Sequence, residues 1–104
     1  MANPWAGEVA VTLNGVSHTC KLTLGALAEL EAVLATGTLI DLVRRFEAGG
    51  FSSADILAVL VAGLRGGGWQ GTRDDLLTAD LAGGPVAAAQ VAATLLARAF
   101  TPPA

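Results

Sequence analysis

The sequence predicts an α+β fold: an N-terminal β-hairpin followed by four to five short helices packed as a single small domain, mostly α. Three observations predict it. Asn14-Gly15 separates two runs of alternating apolar and polar residues. Three Ser/Thr residues stand three places before an aspartate, at Thr38/Asp41, Ser52/Asp55 and Thr72/Asp75, each opening an apolar-periodic segment. Glycine runs at 49–50, 66–68 and 83–84 cut the remainder into helix-sized pieces. The expected layout is a loose arm over 1–7, a hairpin over 8–22, a helical part over 23–100 and a tail over 101–104.

The arm carries Pro4 and Trp5, and Trp5 is expected to fold back into core or edge packing rather than serve as a contact point. Asn-Gly is the preferred two-residue loop of a type I′ hairpin, because both central residues need positive φ. That loop sets the register: Leu13 faces Val16, Val11 faces His18, Val9 faces Cys20 and Glu8 faces Lys21. Val9, Val11, Leu13, Val16, Cys20 and Leu22 then share an apolar face that something must cover. Thr23 caps a first helix from Leu24 to about Ala35, with Leu24, Leu27, Leu30 and Leu34 as its stripe. Glu29 lies opposite in water, and Glu31 falls at the stripe. Gly25 is expected to let the start of this helix approach a strand.

Thr38 and Asp41 open a second helix in capping-box fashion, with Leu39, Leu42, Val43 and Phe46 inward and Asp41 and Arg45 paired on the wet face. Ser52 and Asp55 open a third. Its stripe is Ile56, Leu57, Leu60 and Leu64, widened by Val59 and Val61, and no side chain between Asp55 and Arg65 is charged. A helix apolar nearly all round is central or part of an interface. Gly66-Gly67-Gly68 stops it. Thr72 and Asp75 begin a short fourth helix that is expected to end near Leu81. Pro85 suits the first position of a last helix running to about Phe100, with Gln90, Thr94 and Arg98 as a polar stripe on an alanine-rich body.

Bulk properties narrow the function. The chain has 104 residues, 53% of them hydrophobic and 14% charged. That excludes disorder and leaves apolar surface for a partner. The net charge of −3 with only six Lys and Arg gives no basic face for nucleic acid. The single cysteine, Cys20, excludes an internal disulfide and fits a reducing cytoplasm. No signal peptide is expected, and the longest apolar run, Ile56 to Leu64, is too short to span a bilayer.

No residue pattern points to catalysis, a metal or a cofactor. His18 and Cys20 are two ligands at most, too few for a closed zinc site. His18 reads as a structural histidine, with a hydrogen bond to Glu31 as its expected partner, and Cys20 as a small core residue. Gly66 to Gly71 lacks the lysine and hydroxyl residue of a phosphate loop and follows a helix rather than a strand. Asp74-Asp75 read as first-turn acids, and Arg44-Arg45 as a solvated rim.

The segment Asn14 to Glu31, NGVSHTCKLTLGALAELE, resembles a small family encoded in the tail gene clusters of alphaproteobacterial prophages and of gene transfer agents. The run Gly63-Leu64-Arg65-Gly66-Gly67-Gly68 and the small-residue last helix extend the resemblance over nearly the whole chain. The family is generally read as a phage tail assembly chaperone, and the label tail tube protein is also attached to it. The resemblance implies a cytoplasmic helper of tail morphogenesis that binds the tape-measure protein, and the tail tube protein as a second partner. The alternative is a structural tail subunit, a tube or connector component. Helix-in-groove binding is the expected mode, through Val59 and Val61 on the third helix and Val91 and Leu95 on the last; self-association is also compatible with the sequence. No enzymatic activity, nucleic-acid partner or membrane partner is expected.

Overall fold

The computed structural model of the chain describes residues 6–34 and 37–100. Trp5, the expected helix end at Ala35 and the 101–104 tail lie outside the described residues. The elements are β1 (Val9–Leu13), β2 (Val16–Cys20), α1 (Leu24–Val33), α2 (Leu39–Ala48), α3 (Ser53–Gly66), α4 (Arg73–Leu77) and α5 (Gly84–Phe100). The predicted α+β arrangement, a hairpin and then four to five helices, is observed as one antiparallel hairpin and five helices among the described residues.

The hairpin turns as its Asn-Gly pair dictates, with Asn14 at φ 50° and Gly15 at φ 81°. The register is the predicted one, Leu13 against Val16, Val11 against His18 and Val9 against Cys20. Val11, Leu13, Cys20 and Leu22 enter the core. Val16, on the same face but beside the turn, stays exposed. The ladder ends at the Val9–Cys20 pair. The Lys21 N–H instead donates to the Gly63 carbonyl of α3 at 2.8 Å.

That bond belongs to a wider contact. The last turn of α3 lies directly on the backbone of β2. A Cβ added at Gly66 would sit 2.0 Å from the Lys21 carbonyl oxygen, and one at Gly67 would sit 1.7 Å from the Thr19 oxygen. Only hydrogen at Cα fits either place. The glycine run is therefore a seat for the strand as well as a helix stop. Gly25, by contrast, meets nothing closer than Thr23 Oγ1 at 3.9 Å and is exposed. The expected strand contact is made by the later glycines.

α3 is the central helix, touching β2, α1, α4 and α5. Val59, Leu60, Ala62, Gly63 and Leu64 are buried in it, and Leu30, Leu42, Leu95 and Leu96 close around them. The α2–α3 corner is fixed twice. Phe46 and Phe51 stack with ring centroids 4.6 Å apart. Arg45 makes a bidentate pair with Asp55, Nε to Oδ2 at 3.0 Å and Nη2 to Oδ1 at 2.9 Å. The expected Arg45–Asp41 surface pair is replaced by this bridge, while Asp41 closes the Thr38 capping box. Asp55 also accepts the Ser52 N–H at 2.9 Å, so one carboxylate caps α3 and holds α2 to it.

Two helices depart from the sequence pattern. α1 buries Ala26 and Leu30, with Leu27 and Leu34 partly covered, while Leu24 is 85% exposed. The helix turns Ala26 inward because Gly66 leaves room for its methyl, 3.1 Å from where a Gly66 Cβ would lie. Glu31 then faces solvent. α4 ends at Leu77 rather than near Leu81, because residues 80–82 run extended beside β1. Asn14 N–H donates to Asp80 O at 2.8 Å, Ala82 N–H to Thr12 O at 3.0 Å, and Leu13 bridges Leu81. On α5 the polar stripe is only partly wet: Arg98 reaches back to the Glu8 carbonyl. Among the described residues no helix is long and apolar enough to cross a membrane.

The contrast between glycines is directly testable. Gly67→Ala is expected to lower stability by about 3 kcal/mol, since neither backbone can retreat. Gly25→Ala is expected to raise it by about 0.5–1 kcal/mol, as for any exposed helical position. Urea unfolding of the two variants measures both signs, and equal effects would remove the close-contact account.

Asp55 gives a pH signature. The Arg45 hydrogen bond, with the Ser52 contacts, holds its carboxyl below the usual aspartate range. Its folded value is depressed, so its contribution is complete above about pH 3.9 and is lost as pH falls through the folded value. Asp55→Asn should cost about 1–3 kcal/mol at pH 7. The deficit should narrow in acid, which urea midpoints at the two pH values would detect.

Candidate functional site

Among the described residues no three His, Cys, Asp or Glu side chains lie close enough to share a metal ion. Cys20 is wholly buried, and burial pushes its thiol up to about 12. A neutral, enclosed thiol is neither nucleophile nor ligand. His18 is half-buried beside Val16, Trp69 and Asp75 in a small hollow. It makes no hydrogen bond with Glu31, which the rotation of α1 has carried into solvent.

The four residues expected to meet a partner are scattered. Val59 and Leu95 are completely buried, so neither has surface to offer. Both lie in the core because α3 is enclosed by α1 and α5, a placement that its apolar circumference alone does not resolve. Val91 is partly buried against the core. Val61 opens into a groove.

That groove runs between α1 and α3 and encloses about 700 Å³. Glu29, Ala32 and Val33 form the α1 wall and Ala54, Ala58, Val61 and Arg65 the α3 wall, with Leu30 and Ala62 also in its lining. Thr72 and Arg73 stand where α4 begins. On α3 the wall residues follow i, i+4, i+7, i+11 spacing, which puts them on one helix face. They span about three turns, roughly 16 Å at 1.5 Å per residue. Val33 is 66% exposed, a large apolar side chain left in water on the groove wall.

The polar groups gather at one end. Arg65 Nε lies 3.2 Å from Glu29 Oε2 and Nη2 lies 3.4 Å from Oε1, joining the two walls. Nη1 donates to the Gly71 carbonyl at 3.2 Å. Both side chains are about half exposed, so the pair is worth at most about 1 kcal/mol and can exchange partners. Arg73 is exposed and makes no hydrogen bond or ion pair among the described residues.

The sequence held a signal for these residues that leucine stripes concealed. Ala54, Ala58 and Val61 form a second, weaker stripe on α3 that ends in Arg65. Val33 lies off the leucine stripe of α1, and its exposure follows from the inward turn of Ala26.

Fold and groove together define a class: a small hairpin-and-helix domain with an open apolar channel on its helical side. The family is shown by sequence. The chain belongs to the phage tail tube protein family GTA-gp10, whose model matches residues 6–101. It is thereby a member of a phage and gene transfer agent tail family. No curated protein and no solved structure matches it.

The burial of Cys20 has a simple consequence. A thiol-specific disulfide reagent at pH 8 should leave the native protein unlabelled on the minute scale. In denaturant the single thiol should react at once. Fast native labelling would place Cys20 outside the core.

Proposed function

We propose that the protein is a tail assembly chaperone, which binds helical segments of the tape-measure protein and keeps them from associating with one another before the tube forms around them. The observation that carries this reading is the open α1–α3 groove, whose α3 wall presents Ala54, Ala58 and Val61 over about two turns, with the large aliphatic side chain of Val33 held in water on the shorter α1 wall. An amphipathic helix laid in such a groove covers its own apolar face. The role needs no covalent step, and it is exercised in the cytoplasm of the host while particles assemble.

The name of the family favours a second reading, a structural subunit of the tube. Tube subunits of that kind would join through strand edges, and this hairpin has little edge to give. In an antiparallel pair alternate residues point their backbone groups outward. On β1 the outward groups at Glu8, Thr12 and Asn14 are taken by Arg98, Ala82 and Asp80. On β2 the α3 glycines lie against Thr19 and Lys21. Short stretches centred on Ala10 and Ser17 remain, too short for a continuous intersubunit ladder.

Co-expression with the tape-measure and tube proteins of the same gene cluster separates the two readings. Retention of the tape-measure protein on this chain, with more of it recovered soluble, is the expected outcome. Co-assembly with the tube protein into particles, without tape-measure binding, would replace the chaperone reading with the structural one.

A further inference from the structure

We infer that the α1–α3 groove prefers a helix that carries an acidic side chain at one end of its apolar stripe, where it meets Arg73 and Arg65 and so orients the helix. The inference rests on the tape-measure reading above and adds to it the chemistry and polarity of the bound segment.

The two walls run antiparallel, since Ala26 lies beside Gly66 and Glu29 beside Arg65. The groove therefore has unlike ends. Toward Val33 and Ala54 its lining is aliphatic. The charged groups in the lining are Glu29, Arg65 and Arg73: Glu29 pairs with Arg65, and Arg65 also donates to the Gly71 carbonyl, two residues before Arg73. Summed over these three lining side chains the charge is +1; Asp74 and Asp75 follow Arg73 outside the lining, Asp75 in the hollow beside His18. Glu29 already occupies Arg65, while Arg73 has no partner among the described residues.

A helix entering the groove thus meets a surface that rewards a carboxylate at one end and aliphatic side chains along the rest. Alanines at 54, 58 and 62 keep the α3 wall low, so leucine- or valine-sized side chains fit between the walls. A helix laid in reverse would bring its carboxylate to the aliphatic end and leave Arg73 unmatched. Specificity of this kind comes from complementary charge rather than from area.

The test uses the full chain and two amphipathic peptides about 18 residues long, with the same leucine/alanine stripe. One carries glutamates beside one end of the stripe, the other lysines. Fluorescence anisotropy should show the glutamate peptide binding about three- to tenfold more tightly at low salt, with the difference shrinking as salt rises. Arg73→Glu should abolish or reverse that preference. Val33→Glu, at an exposed position, should weaken both peptides. Ile40→Glu, equally exposed but outside the groove lining, should change neither, and circular dichroism checks that all three variants fold.

Equal binding of the two peptides by the wild type, or an unchanged preference in Arg73→Glu, would overturn the inference. So would a dimer in sedimentation that Val33→Glu converts to monomer, since the groove would then be filled by a second copy. Tape-measure protein retained equally by wild type, Val33→Glu and Arg73→Glu would overturn the inference and leave the chaperone reading intact. Discriminating peptides with no tape-measure retention would sink the reading and leave the groove's charge preference standing.

Discussion

The structure depends on the contact between the end of α3 and the backbone of β2. A two-stranded hairpin is marginal alone, and its apolar face needs a lid held at a fixed distance. α3 becomes that lid by omitting side chains where the strand passes. Gly66 and Gly67 admit the carbonyls of Lys21 and Thr19, and Gly63 supplies the acceptor for the Lys21 N–H. The position of α1 follows, since Ala26 packs beside Gly66. So does that of α5, since Leu95 Cδ1 reaches to 2.7 Å from where a Gly63 Cβ would lie. Glycine inside a helix costs roughly 0.5–1 kcal/mol against alanine. That cost is small beside burying Cys20, Leu22, Leu64 and Leu95, each worth on the order of 1.5–3 kcal/mol when large and apolar.

With the centre fixed by glycine, the charged side chains act at the corners. Asp55 is both the cap of α3 and the anchor of Arg45, so the start of α3 and the end of α2 are set by one carboxylate. Arg98 ties the last helix to the first strand through the Glu8 carbonyl. Arg65 joins α1 and α3 across the mouth of the groove. These ties differ in exposure. The side chain of Asp55 is 13% exposed, that of Arg65 41% and that of Glu29 53%. The more buried pair holds structure, and the more exposed one is free to trade its partner for another.

Local chemistry made much of the fold legible in the sequence. Asn14-Gly15 specifies a turn and thereby a register. Thr38, Ser52 and Thr72 mark helix starts within a residue, because a cap is a short-range bond between neighbours in the chain. What escaped were consequences of distant contact. The strand-like run at residues 80–82 looks like the tail of a helix until Thr12 and Asn14 lie beside it. The three glycines look like a flexible stop until β2 is laid across them. The leucine stripe of α1 proposes Leu24 as core, yet the packed face is centred on Ala26 and Leu30. The candidate surface suffered from the same limit. Val59 and Val61 are two residues apart on an apolar helix, and only the placement of α5 decides that one is core and the other groove.

The shape of the groove also bears on how long a partner would stay. Covering so short an apolar wall would gain only a few kcal/mol by area, at roughly 25 cal/mol per Å². Association itself costs an estimated 4–15 kcal/mol in lost freedom, before any charge term. Terms so nearly balanced describe weak, reversible binding at each site rather than a permanent interface. Walls of alanine serve that end, since each presents less apolar area than leucine in its place. Many such weak sites along a long helical partner would hold it together by number. They would also yield one at a time to a tube growing along the same helix.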